Sequence, residues 1–140
     1  MQYWLMKSEP GTWSWDDQVA RGDQGEIWDG VRNHQAAGHL RQMAVGDRAY
    51  FYHSGKAPAV VGIVEVIKAQ FPDPSDDSGR FVAVTVRALS PLPNSVSLKR
   101  IKAERALADC LLVRQSRLSV MPLSKKHWDA IARLAQTSVS

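Results

Sequence analysis

The chain has 140 residues, 44% of them apolar and 23% charged, with a net charge of +4. That size and balance fit one globular domain, residues 1–140, with enough apolar material for a core. A lone cysteine, Cys110, excludes an internal disulfide and cysteine-based zinc sites, and it points to a reducing, cytoplasmic setting.

Gln2 to Lys7 reads as a strand with apolar residues on both faces, so it belongs near the middle of a sheet. Pro10-Gly11 turns the chain away. Ser14 with Asp17 three residues later predicts a capping box and a helix to about Arg21, stopped by Gly22. Gln24 to Trp28 is short and extended. Asn33 predicts the N-cap of a helix running to about Met43. Arg48 to His53 is a strand built on Tyr50, Phe51 and Tyr52, followed by a polar loop. Ala59 to Ala69 is the strongest strand, central and curved, with Gly62 allowing the bend. Phe71 to Gly79 reads as an acidic, mobile loop. Arg80 to Leu89 alternates as another strand, which Pro91 and Pro93 should break. Ser97 to Ala108 is helical in two pieces. Leu111 to Val113 and Arg117 to Val120 are short apolar stretches. Ser124 caps a last helix with Trp128, Ile131 and Leu134 at helical spacing, and the tail from Thr137 to Ser140 should fray. Five or six strands and three or four short helices, without regular βαβ alternation, predict an α+β domain built on a small curved barrel.

The catalytic signatures are weak. His34 and His39 are five apart on a helix, on different faces, and neither H-E-x-x-H nor C-x-x-C occurs, so no metal site and no cofactor are expected. Ser8, Glu9, His53 and Ser54 could meet as a hydrolytic group, but there is no nucleophile elbow. Cys110 beside Leu111 and Leu112 reads as buried and inert. No window approaches 18 apolar residues and MQYWLMKSEP lacks the pattern of a signal peptide, so no membrane partner is expected. The mild basic excess permits nucleic-acid binding without a disordered basic arm. Five tryptophans in so short a chain suit both core filling and a cage for a flat ligand.

Five segments mix aromatic and polar groups at element ends: Lys7-Ser8-Glu9-Pro10, Trp13-Ser14-Trp15, Trp28 to Asn33, Tyr52-His53-Ser54 and Arg117-Leu118-Ser119-Val120. Each alone is ordinary loop chemistry; together they could line one concave site with aromatic walls and a few polar groups. With Gln35-Ala36, Val45-Gly46-Asp47 and Val61 to Val66, they resemble the EVE-domain family, in family order from residue 2 to about 134. This family is a branch of the PUA-like superfamily, related to the YTH readers of methylated RNA. The sequence departs from the family pattern at His34, at Ala37-Gly38-His39 and at Met121.

The resemblance implies a PUA-like fold, a curved and partly closed β-barrel flanked by short helices. It also implies a pocket for a modified nucleobase. Lys7 and Ser8 would lie on its floor, with Glu9 and Pro10 among the other ligand-binding residues. Trp28 would be an aromatic wall, with Trp13 and Trp15 nearby. Gly30, Val31 and Arg32 would lead to Asn33, which with Ser54 of His53-Ser54 would read polar edges. Arg117, Leu118 and Ser119 would close another side. The expected function is a non-catalytic module whose partner is DNA or RNA containing a modified base. The alternatives are a small hydrolase or ribonuclease as in the related ASCH branch, with Lys7, Glu9 and His53 for acid/base work, and a protein-interaction domain.

Overall fold

In the computed structural model, which describes residues 1–137, β1 (Tyr3–Ser8) is flanked on both sides, as its two apolar faces require. It pairs in parallel with β3 (Arg48–His53) and antiparallel with β6 (Val120–Leu123). Beyond β3 come β4 (Ala59–Pro72), β5 (Val82–Ser97) and the short edge strand β2 (Glu26–Trp28). The result is a six-stranded mixed sheet in the order β2-β5-β4-β3-β1-β6. The α+β class and strand number match the expectation. The sheet is not closed, because β2 and β6 are its two edges. Its helices are α1 (Trp15–Ala20), α2 (His34–Gln42), α3 (Leu98–Ala103), α4 (Leu111–Arg114) and α5 (Lys125–Leu134), with two 3-10 turns at Gly22–Gln24 and Arg105–Leu107. No helix among the described residues is long and apolar enough to cross a membrane.

The predicted caps are present. Ser14 and Asp17 form the reciprocal capping box of α1, while Asn33 and Ser124 accept from the third backbone N–H of α2 and α5, and Ser97 does the same for α3 without having been expected to. Each satisfies an amide that the helix start leaves unpaired. Buried Asp47 plays the same part in a turn: its carboxylate accepts from the Gln2 and Ala44 backbone N–H groups and from Trp4 Nε1, each at 3.0 Å. Trp128 of α5 lies stacked on Tyr50 with ring centroids 3.8 Å apart, which seats that helix on the sheet.

Two expectations are corrected. Pro91 and Pro93 do not break β5, which continues to Ser97. β2 covers only Val84 to Val86, so the outer edge of β5 beyond that point needs no N–H donors, and proline is tolerated there. The acidic loop begins at Asp73 rather than Phe71 and is pinned rather than loose. Asp76 accepts from the backbone N–H groups of Ser78, Arg80 and Phe81, and Asp73 is buried. Of the tail expected to fray from Thr137 to Ser140, Thr137 is held, its carbonyl accepting from Arg100 Nη1 at 3.1 Å, and residues 138–140 lie outside the described residues.

Gly62 serves more than the bend expected of it. The register of β3 with β4 and of β4 with β5 shifts beside it, and the Trp15 ring lies over it. A Cβ at this position would stand 2.5 Å from the Trp15 ring. Gly62→Ala should therefore destabilise the fold by roughly 1–3 kcal/mol through overpacking. Urea unfolding of the two proteins checks this; equal midpoints would show that Trp15 has room to move.

Candidate functional site

The end of β1 carries Lys7, Ser8 and Glu9 into the loop before α1, where Thr12 and Trp13 fold back beside β2. With Glu26, Ile27, Trp28 and Asp29 they line a concavity of about 350 Å³. Trp13 is fastened at both ends. Its carbonyl accepts from Ser8 Oγ, and its Nε1 donates to Gln18 Oε1 at 3.0 Å. Gln18, fully buried, passes the link to the sheet by donating from Nε2 to the Val86 carbonyl at 3.0 Å. Trp28, 9% exposed, meets Phe51 edge-on at 5.7 Å. Lys7 crosses the floor: Nζ donates to the Ser116 carbonyl at 2.8 Å and stands 5.5 Å from the centre of the Tyr52 ring. Burial holds its pKa below the ordinary lysine value.

The other sequence-predicted residues fall around this concavity rather than in it. Glu9 and Pro10 with His53 and Ser54 line a neighbouring cleft of about 530 Å³, which shares Glu9 with the first. Asn33, Arg117 and Leu118 line another of about 310 Å³, beside Ser116 and therefore joined to the first by the Lys7 bond. Asn33 Oδ1 is occupied by the Ala36 N–H, which leaves the amide nitrogen to donate to a ligand. Ser54 Oγ donates to the Ser8 carbonyl at 3.3 Å, and the Ser119 carbonyl accepts the Lys7 N–H at 2.9 Å. His53 Nε2 accepts the Trp15 N–H at 2.9 Å, and burial holds the ring below the ordinary imidazole pKa despite nearby Asp16 and Glu9. Trp15 itself is core, edge-on to Phe51 at 5.4 Å, and Val31 is buried.

Gly30 and Arg32 are held by a residue that sequence reasoning did not single out. Asp73, 2% exposed, accepts the Gly30 N–H at 2.8 Å and Arg32 Nη1 at 2.9 Å through one carboxylate oxygen. Its other oxygen accepts from the Ser75 N–H and hydroxyl. Gly30 has φ of +77°, a conformation that suits glycine and aims its N–H at Asp73. Asp73-Pro74-Ser75 is a local Asx-turn pattern that could have marked the turn, but not the reach of the carboxylate to residue 30. Thr12, Glu26 and Ile27 of the concavity were also not foreseen, while Asp29 belongs to the expected segment from Trp28 to Asn33. Ile27, 39% exposed on its rim, is an out-of-place apolar residue on an edge strand. No cluster of three or more metal-ligating side chains occurs among the described residues.

The EVE domain family model matches residues 2–134. The chain belongs to the EVE-domain family. This EVE domain is 34% identical to mouse thymocyte nuclear protein 1 over 170 aligned positions, which cover 99% of this chain and 75% of the mouse protein. It superposes on the crystal structure of human THYN1 protein in complex with DNA containing 5-methylcytosine with a TM-score of 0.91, 29% identity, and coverage of 99% of this chain and 100% of the human one. The YTH domain of Zygosaccharomyces rouxii MRB1, solved with N6-methyladenosine RNA, superposes at a TM-score of 0.58 with 18% identity, over 99% of this chain and 89% of that one. That second likeness is one of fold.

Burial alone would raise the Asp73 pKa. The hydrogen bonds from Ser75, Arg32 and Gly30 outweigh it and bring the pKa down from 3.8 to about 2. A carboxyl whose folded-state pKa is depressed adds stability above its unfolded value and loses it as pH falls through the folded value. Asp73 should thus contribute on the order of 2 kcal/mol at neutral pH, lost between about pH 4 and pH 2. Asp73→Asn should lower stability at pH 7 and flatten that part of the curve, measured as urea midpoints across pH. An unchanged curve would show that the anchor is energetically idle.

Proposed function

We propose that this EVE domain binds a modified base of DNA or RNA, turned out of its strand, in the concavity between Trp13 and Trp28, and does no covalent chemistry on it. The observation that carries this reading is the concavity itself. It has two tryptophan walls, a half-buried lysine on the floor and carboxylates at the mouth, in the same fold as a human relative crystallised with methylated DNA. A base sliding along Trp13 gains stacking, worth roughly 1–3 kcal/mol per base. Lys7 offers donors to ring or carbonyl acceptors, and Glu9, Glu26 and Asp29 accept from an exocyclic amine, as carboxylates do with cytosine N4. Reading one extruded base needs both stacking and edge contacts.

The hydrolytic alternative draws no support from the side chains it would use. His53 Nε2 is taken by the Trp15 amide and Ser8 Oγ by the Trp13 carbonyl. A general base must reach the proton it removes, and none of these groups is set against a nucleophile.

Titration with short single-stranded DNA and RNA, unmodified or carrying methylated or hydroxymethylated bases, tests the proposal by tryptophan fluorescence. One modified base should bind more tightly than its parent, and Trp13→Ala should weaken that binding by about 5- to 150-fold, the equivalent of the stacking energy. Equal affinity for modified and parent bases, or a folded Trp13→Ala protein that binds as before, would contradict it.

A further inference from the structure

One concavity lies outside the group just described and has a different make-up. It sits where the β3–β4 loop meets the start of α3, with a volume of about 580 Å³. Its floor is apolar, from Ala57, Pro58, Ala59 and Leu98, and is tied together by the Leu98 N–H donating to the Pro58 carbonyl at 2.9 Å. Its rim carries Lys99 and Lys102, three apart on α3 and so neighbours on the helix surface. Both are exposed, neither is ion-paired among the described residues, and no acid lines the trough.

This trough is continuous with the base site. Ala57 is shared with the His53–Ser54 cleft, where exposed Lys56 stands, and that cleft shares Glu9 with the base concavity. On the far side, beyond the Lys7–Ser116 bond, exposed Arg114 and Arg117 line the next cleft. The mouth of the base site is acidic, with Glu9, Glu26 and Asp29, while both approaches are basic. A polyanion is repelled from the mouth and attracted to the flanks. That pattern lets the backbone pass alongside while a base goes in.

We propose that the lysine-rimmed trough is a second nucleotide subsite, occupied by the single-stranded segment beside the modified base. The apolar floor underlies a neighbouring base or sugar, and Lys99 and Lys102 contact its phosphates. This rests on the base-binding reading above and adds the path of the strand.

The test uses the full chain with two single-stranded DNA probes, a 12-mer and a 3-mer, each with a central 5-methylcytosine. Lys99→Gln/Lys102→Gln should weaken the 12-mer by about ten-fold at low salt. It should also reduce the slope of log affinity against log salt by about 1.4, near 0.7 for each phosphate no longer neutralised. The 3-mer should be unaffected. Lys125→Gln/Lys126→Gln, next to the strand β6 that pairs with the opposite, Tyr3 end of β1, should leave both probes unchanged. If the 12-mer keeps its affinity and salt slope in the first variant, the subsite is overturned while base binding stands. If the two double variants weaken binding equally, the attraction is diffuse and the subsite is again overturned. If the wild-type protein binds neither probe but binds the same lengths bearing another modified base, those serve as the probes. If it binds none, the base-binding reading falls and takes the subsite with it.

Discussion

Phe51 is the side chain on which the site depends. It is fully buried on β3 and pairs across the sheet with Gly62. Three aromatic rings meet it edge-on: Trp15 at 5.4 Å, Trp28 at 5.7 Å and His53 at 5.7 Å. Edge-to-face contacts of this kind fix ring planes as well as distances. They bring α1, β2 and the end of β3 to one place, beside the concavity that the end of β1, the loop before α1 and β2 line. Gly62 makes the arrangement possible, because any side chain there would occupy the space of the Trp15 ring. The hydrophobic core and the site are thus the same piece of packing seen from two sides.

Around that packed centre, buried polar groups act as fasteners. Gln18 ties Trp13 to β5, Asp47 ties β1 to the turn before β3, and Asp73 ties Gly30 and Arg32 to the loop after β4. Each has its acceptors filled, as a buried polar group must. By contrast Glu9 and Asp29 at the mouth are exposed. Rigid support beneath and exposed polar groups above are what a ligand site requires.

The local parts of this structure were legible in the sequence. Ser14 with Asp17, Asn33 and Ser124 each cap the helix expected of them, because a cap joins residues two or three apart. Lys7, Ser8, Glu9, Trp13 and Trp28 were singled out, and they line one concavity. What stayed hidden depends on contacts across the chain. Asp73 reaches 43 residues back to Gly30, and Gln18 reaches 68 forward to Val86. Pro91 and Pro93 looked like strand breakers because nothing local reveals that β2 leaves that edge of β5 free. Trp13 and Trp15 look alike in sequence, yet only the first lines the concavity, since the capping box turns the second towards Gly62.

The central claim is that a base enters between Trp13 and Trp28. Its most direct test is the set of indole N–H signals in a ¹⁵N-labelled sample, followed as a 5-methylcytosine oligonucleotide is added. The chain has five tryptophans in distinct settings. The Trp13 and Trp28 signals should move together and saturably, while Trp4, held by Asp47, and Trp128, stacked on Tyr50, should stay in place. Saturable binding that shifts Trp128 or Trp4 and leaves Trp13 and Trp28 still would contradict the claim and place the ligand elsewhere on the protein.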